Sequence, residues 1–419
     1  MKDKHIIIVG AGAAGLLAAA TASRLGAKVT VLEKMNLPGL KMGITGKGRC
    51  NITNAADSMD DFIKNTPGNG KFLYSAYQQF TNKDLFALLD EWGLAYKVER
   101  GGRVFPQSDS ALEVRNMFRR VLEENGAILH TKEAVTRILV ENGHACGVRT
   151  DRATYQADAV VLATGGCSYP ATGSSGDGLR MVKDLGLTIT DIRPSLVPMV
   201  TKETWVKDLM GLSLRNVSVT AWRKGKKKTS LFGEMMFTHF GLTGPLILSL
   251  SHTIGKWLLK DKTDVWLTIN LKPALSPDVL DKRLQRDFQK YHKKQLVNGL
   301  VDLLPKRLIP IILVEADFTG HEAVASLTKE GRQRLVEIIQ ELPVTVTALR
   351  PVEEAIVTAG GISVKEIDPK TMEVKKIPGL YACGEVLDID AFTGGYNLQA
   401  AFSTGYVAAT HAVESLQDK

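Results

Sequence analysis

Three glycines and one carboxylate near the start of the chain have the types and spacing to bind a dinucleotide. Gly10, Gly12 and Gly15 form a G-x-G-x-x-G run with Ala13 and Ala14 inside it, and Glu33 follows further on. In such a run the first glycine permits a tight strand-to-helix turn. The second lets a pyrophosphate approach the backbone, and the third lets the helix pack closely on the strand. The phosphates would meet unpaired N–H groups at a helix N-terminus, where the helix dipole favours negative charge. A carboxylate at Glu33 would accept hydrogen bonds from both hydroxyls of a ribose.

Those roles require particular elements, and the local sequence supplies them. His5 to Val9 is an apolar, β-branched run that reads as a buried strand. An Ala/Leu-rich segment to about Leu25 reads as a helix, and Lys28 to Leu32 as a second strand ending in Glu33. A signal peptide is disfavoured, because the apolar run opens on a glycine turn and no polar cleavage region follows. A transmembrane helix would need about 20 apolar residues without such breaks.

The whole chain is consistent with this start. Its 419 residues leave room for two domains, and 44% hydrophobic with 23% charged residues is ordinary for a globular protein. Cys50, Cys146, Cys167 and Cys383 are scattered, with no C-x-x-C pair and no ligand-like grouping with histidine. Neither a disulfide framework nor a metal site is expected, and a reducing cytoplasm is the predicted compartment. The net charge of +8 suits anionic ligands. The positive charges are dispersed, so neither a nucleic-acid partner nor a membrane is expected.

Gly39 to Asn54 interleaves small or flexible positions with Lys41, Lys47, Arg49, Asn51 and Thr53. A loop of this kind can wrap a ligand with backbone donors while cations face phosphate. Asn142-Gly143 predicts a hairpin turn between Val135–Val140 and His144–Arg149. The strand Ala157 to Leu162 ends in Ala163-Thr164-Gly165-Gly166, and a second glycine-rich stretch follows at Thr172 to Gly178. Thr81 or Asn82 reads as a cap for the helix after it, and Ser110 to Glu113 has capping-box spacing.

The run G-x-K…G-x-G-R-C-N-x-T-N, which here is Gly39 to Asn54, resembles the signature of the bacterial NAD(FAD)-utilising dehydrogenases. That family includes bile-acid enone reductases and proteins labelled aminoacetone oxidases. Leu40 and Thr45 stand where many members carry Arg and Ser. Gly379 to Asp388 and the Ala-Thr-Gly-Gly strand end resemble further marks of the same flavoproteins, as does Met236 to Pro245. The resemblance implies a doubly wound α/β FAD-binding domain, Rossmann-like and of the glutathione-reductase type, built from about 1–191 and 350–419. An inserted strand-plus-helical domain, about 192–349, would cover the flavin.

It also implies which residues bind non-covalent FAD. Gly10, Gly12, Ala13, Ala14, Gly15, Glu33 and Lys34 would hold the ADP half, with Val135, Ala163, Thr164, Gly165 and Gly166 beside it. Gly39, Lys41, Thr45, Gly46, Arg49, Cys50 and Asn51 would hold the pyrophosphate and ribityl chain. Gly384, Glu385, Asn397, Leu398 and Gln399 would surround the flavin, with the helix that follows aimed at its N1–C2=O edge to stabilise negative charge. Within Met236 to Pro245, two glycines and a proline beside His239 read as a lid. His239 is a candidate proton relay, with a structural role the alternative. Arg103 is a candidate substrate contact, with a solvated loop the alternative.

The expected reaction is hydride transfer between transiently bound NAD(P)H and a small organic acceptor, such as an enone C=C. The alternatives are an amine oxidase using O2 and an RNA-associated flavoprotein. The basic run Arg223 to Lys228 lies at a predicted hairpin tip and, lacking interleaved aromatics, reads as a solvated turn.

Overall fold

The computed structural model describes residues 4–417 and divides the chain into two compact units, Met1–Ser195 with Val352–Lys419, and Leu196–Pro351. The first is built on a parallel five-stranded sheet. Its strands are β1 (His5–Val9), β2 (Lys28–Glu33), β3 (Ile128–Thr131), β4 (Ala159–Leu162) and β5 (Leu380–Ala382), in the spatial order β5-β4-β1-β2-β3. The side chains from Ile6 to Val9 and from Ala159 to Leu162 are buried, as strands covered on both faces require. The chain runs outward from β1 through β2 to β3, then returns to lay β4 on the other side of β1. That reversal is a topological switch point, and it opens a crevice at the carboxyl ends of β1 and β4.

Two helices meet behind this crevice. α1 (Ala13–Arg24) follows the glycine turn and is buried nearly throughout. It packs on α2 (Tyr396–Gln417), and the crossing depends on missing side chains. A Cβ on Gly405 would lie 2.4 Å from Ala14 O, and one on Gly384 would lie 2.8 Å from Ala14 Cβ. The predicted hairpin forms as Val135–Glu141 and His144–Thr150, with left-handed Asn142 (φ 50) and Gly143 (φ 81) in its turn. The caps divide. Thr81 and Asp84 make a capping box, whereas the Ser110 side chain caps nothing and Glu113 accepts from Ser108 Oγ instead.

The second unit contains a closed six-stranded antiparallel barrel, an architecture absent from the sequence expectations. Its order is Met199–Thr201, Gly241–Thr243, Lys226–Phe237, Ser213–Arg223, Val265–Asn270 and Leu342–Leu349, the last pairing back to the first. Val217, Val219, Ala221, Val265, Leu267 and Ile269 fill it at alternate positions. Gly241, expected in a lid, is a barrel residue where a Cβ would lie 2.1 Å from Met199 O. Pro245 opens the helix Pro245–Asp261, where its fixed φ and missing N–H cost nothing. No helix among the described residues is long and apolar enough to cross a membrane.

Candidate cofactor site

The head of α1 sits in the crevice at the switch point. Gly10 (φ 99) turns the chain out of β1, and a Cβ there would lie 2.7 Å from Ala163 O. Gly15 presses against the same turn, since its Cβ would lie 1.9 Å from Gly10 O and 3.2 Å from Ala163 Cβ. Gly12, the N-cap of α1, differs from both. A Cβ there would meet no atom within 4 Å beyond its own chain neighbours, so no close packing contact requires glycine at this position. Open space directly over the first turn of a helix is what a pyrophosphate on the backbone needs.

Glu33 lies beside this turn. It is 9% exposed; one carboxylate oxygen accepts from Ala11 N and the other from Met35 N, each at 2.8 Å. A carboxylate oxygen has two lone pairs, so each retains one for a ribose hydroxyl. The stretch Thr172–Gly178 folds back onto the same place. Gly173 lies where a Cβ would come within 3.6 Å of Glu33 Oε1, and Lys34 Nζ bonds Ser175 and Asp177. Lys34 therefore ties two loops together through its ammonium.

Residues from four distant segments form a second cluster. Lys41 Nζ donates to Ser168 Oγ and pairs with Glu385 Oε2, both at 2.6 Å, with each side chain of the pair 20% exposed. Glu385 Oε1 accepts from Thr358 N at 2.7 Å, and Thr358 Oγ1 accepts from Cys167 N at 2.8 Å. A Cβ on Gly166 would lie 2.4 Å from Thr358 Oγ1. Ser168 and Thr358 were not among the expected site residues; in the sequence each lies at a small-residue run, Ala163–Gly166 for the first and Thr358–Gly361 for the second.

The segment Gly39–Asn54 is less loop-like than expected. Gly39 (φ 67) starts a short helical stretch, which breaks at Thr45 and passes through left-handed Gly46, Lys47, Gly48 and Cys50. Non-glycine residues held at positive φ, as Lys47 and Cys50 are, mark a backbone fixed by its surroundings. Thr45 Oγ1 donates to Met42 O at 2.8 Å. The Cys50 thiol is fully buried, and burial raises its pKa to about 12. Arg49, expected on a phosphate, gives its guanidinium to Glu99 (2.8 Å) and Asp109 (3.3 Å) and lies 3.9 Å over the Phe105 ring.

The remaining expected residues sort by where their side chains go. The Asn51 amide turns its oxygen to Gly395 N (2.9 Å) and its nitrogen to Thr53 O (3.1 Å). Asn397 accepts from Ala391 N and donates to Ala391 O, clamping the loop before α2. Gln399 is fully buried; its Oε1 accepts from Thr53 Oγ1 at 2.6 Å and its Nε2 donates to Ser403 Oγ at 3.1 Å. Leu398 and Val135 pack on the core. Thr164 Oγ1 is buried without a hydrogen-bond partner among the described residues, and Gly165 (φ 72) turns the chain after it. Arg103 is exposed, with its guanidinium 3.5 Å from Glu99. His239 belongs to the barrel unit, exposed and edge-on to Phe240 at 4.9 Å. The described residues hold no cluster of metal-ligating groups.

Residues 4–411 match the family model of the HI0933-like protein Rossmann domain. The chain is 31% identical over 408 residues to a ribosomal RNA dihydrouridine synthase of Haemophilus influenzae, covering 96% of this chain and 97% of that protein. It is 29% identical over 412 residues to a 3-dehydro-bile acid delta(4,6)-reductase of Clostridium scindens, covering 98% and 99%. Its fold is similar to that of a 3-ketosteroid delta1-dehydrogenase from Sterolibacterium denitrificans, with a TM-score of 0.55 at 16% identity, covering 98% of this chain and 99% of that one. The chain belongs to the HI0933-like Rossmann-domain family, a family of FAD-dependent oxidoreductases.

Proposed function

We propose that this protein reduces a carbon–carbon double bond conjugated to a carbonyl, taking hydride from transiently bound NAD(P)H, and that its substrate is a uracil ring in RNA. The observation that carries this reading is a bond shared by two full-length relatives with otherwise unlike substrates. Forming dihydrouridine saturates C5=C6 of uracil, which is conjugated to the C4 carbonyl. The bile-acid relative acts on double bonds conjugated to a 3-keto group. Two full-length relatives named ribosomal RNA dihydrouridine synthase and the net charge of +8, which attracts a polyanion, support the RNA substrate; at 29% the bile-acid relative is nearly as similar.

The residues present fit FAD. The open backbone at Gly12 would receive the pyrophosphate, and the free lone pairs of Glu33 the adenosine ribose. When bound, the flavin supplies hydride transfer, and the protein supplies position and electrostatics. Lys41, held between Ser168 and Glu385, fixes the strand ends of β4 and β5 in one arrangement at the crevice. Arg49, engaged with Glu99 and Asp109, leaves the phosphates to backbone donors.

The test is anaerobic. The purified yellow protein is reduced with NADH or NADPH, then offered ribosomal RNA, a steroid enone or a primary amine. Bleaching by a nicotinamide, followed by reoxidation and dihydrouridine in the digested RNA, is the expected result. Failure of both nicotinamides to bleach it sinks the reductase reading, and peroxide formation with amines replaces it by an oxidase. Turnover of the enone alone moves the substrate from RNA to a small molecule.

A further inference from the structure

The outer face of the barrel joins cations to exposed aromatic rings, which the linear sequence does not reveal. Residues directly opposite on antiparallel strands point to the same face. Lys227 pairs with Trp222, Trp222 with Trp266, and Trp266 with Thr345, so these four form one row across four strands. Trp222 and Trp266 stack with centroids 5.6 Å apart, and Trp266 is 46% exposed. Two rows along, Phe232 pairs with Ser218 and is 65% exposed. Four strand residues separate the two rows, about 14 Å. Bases stacked at the two positions would therefore belong to different nucleotides.

Positive charge borders the rings. Lys224, Lys226, Lys227 and Lys228 are exposed around a turn in which Lys224 (φ 52) and Gly225 (φ 70) are both left-handed. Among the described residues, none of Lys226, Lys227 and Lys228 has a carboxylate at ion-pair distance. Of the acids around this face, exposed Asp264, two residues before Trp266, and Glu234, two beyond Phe232, likewise make no ion pair with these lysines. Asp261 is taken by Arg223 in two bonds of 2.6 and 2.8 Å. That bond also fixes the end of the helix Pro245–Asp261 against the hairpin, bringing exposed Lys260 and Lys262 to the same edge.

Uncompensated lysines beside solvent-facing aromatic rings are the two parts of a single-strand nucleic-acid surface, charge for the backbone and rings for the bases. We propose that this barrel face docks an unpaired RNA segment, with Lys226–Lys228 on phosphates and Trp266 and Phe232 under bases. The proposal rests on the RNA reading above and names the surface that reading needs.

The experiment measures binding of the FAD-loaded full chain to a labelled oligouridylate by fluorescence anisotropy across a salt series. Anionic phospholipid vesicles and dihydrouridine formation in ribosomal RNA are measured in parallel. The triple change Lys226→Glu, Lys227→Glu, Lys228→Glu is expected to weaken binding more than tenfold and to flatten the log–log salt slope by about 2, at about 0.7 per lost phosphate contact. Trp266→Ala is expected to weaken it about fivefold or more at an unchanged slope, with Trp266→Phe restoring most of the loss. Lys293→Glu with Lys294→Glu, the same kind of charge change elsewhere in the unit, is expected to leave binding as it was.

If the wild type forms dihydrouridine yet all variants bind oligouridylate alike, the face is wrong while the substrate reading stands. If the wild type neither retains the oligonucleotide nor forms dihydrouridine, both fall. Binding to vesicles with none to oligouridylate overturns the RNA occupant in favour of a lipid surface.

Discussion

Two helices of the first unit begin after glycine-rich turns, and the two beginnings do opposite things. At the head of α1, Gly10 and Gly15 are consumed by contacts within the protein, while Gly12 faces space in which no atom beyond its chain neighbours lies within 4 Å of its missing Cβ. At the head of α2, a Cβ on Gly395 would fall 2.2 Å from the carbonyl of Thr53. The polar side chains there turn inward, Asn397 to Ala391 and Gln399 to Thr53 and Ser403. A glycine-and-amide motif at a helix start can thus mark an open ligand surface or a closure of the chain on itself. Which one it marks depends on what each missing side chain would have touched.

Substitutions can break that contrast, and the largest effects belong to the closed positions. Gly15→Val places a side chain on Gly10 O and Ala163, and the expected loss is about 4 kcal/mol or more, read as failure to accumulate soluble protein or a collapsed Tm. Gly395→Ala, forced to positive φ against Thr53, is expected to cost about 3 kcal/mol. Gln399→Leu leaves Thr53 and Ser403 hydroxyls without their buried partner and is expected to cost about 2 kcal/mol in urea unfolding. Its bound FAD per folded molecule should match wild type. A drop in that ratio with little change in stability would return Gln399 to the cofactor and erase the difference between the two helix heads.

Gly12→Ala supplies the converse. The new methyl meets nothing beyond its own chain neighbours, and at an extended N-cap with φ −78 alanine is only modestly worse than glycine, so stability of the FAD-free chain should fall by about 1 kcal/mol or less. FAD affinity should nevertheless fall at least about tenfold, because the methyl occupies the space over the backbone donors. Titration of the FAD-free protein with FAD, followed by flavin fluorescence, separates the two effects.

The same contrast explains how far the residues could be read in advance. Gly10, Gly15, Asn142-Gly143 and the β-branched strands were legible because each constraint is local: one positive φ, one close approach, one alternation. Glu33 was legible by its distance from the turn. The Arg49 contacts were not, since Glu99 and Asp109 come from a small sheet and turn far along the chain. Nor were Ser168 and Thr358, small polar residues that gain meaning only when the segment after β4 and the short strand Val357–Ala359 bring them to the Lys41–Glu385 pair. The barrel escaped because closure is a property of six short strands together, two of them three residues long.

The finest comparison uses the two buried thiols that stand behind the helix heads. Cys383 precedes Gly384, which abuts Ala14 of α1, and Cys50 precedes Asn51, which holds Gly395 before α2. Burial raises both thiols from 9.0 to about 12, so at pH 9 each remains protonated and unreactive while the fold is closed. Above pH 9 an unfolded thiol loses its proton and the folded one keeps it. The unfolded chain then binds fewer protons, and stability falls as pH rises from 9 towards 12. Alkylation at pH 9, mapped by peptide mass, therefore reports local opening at each head separately. Added FAD is expected to slow labelling of Cys383, behind the open head, more than that of Cys50, behind the head already closed by protein. Equal slowing of the two would mean that the ligand closes both helix starts alike, and the division drawn between them would not hold.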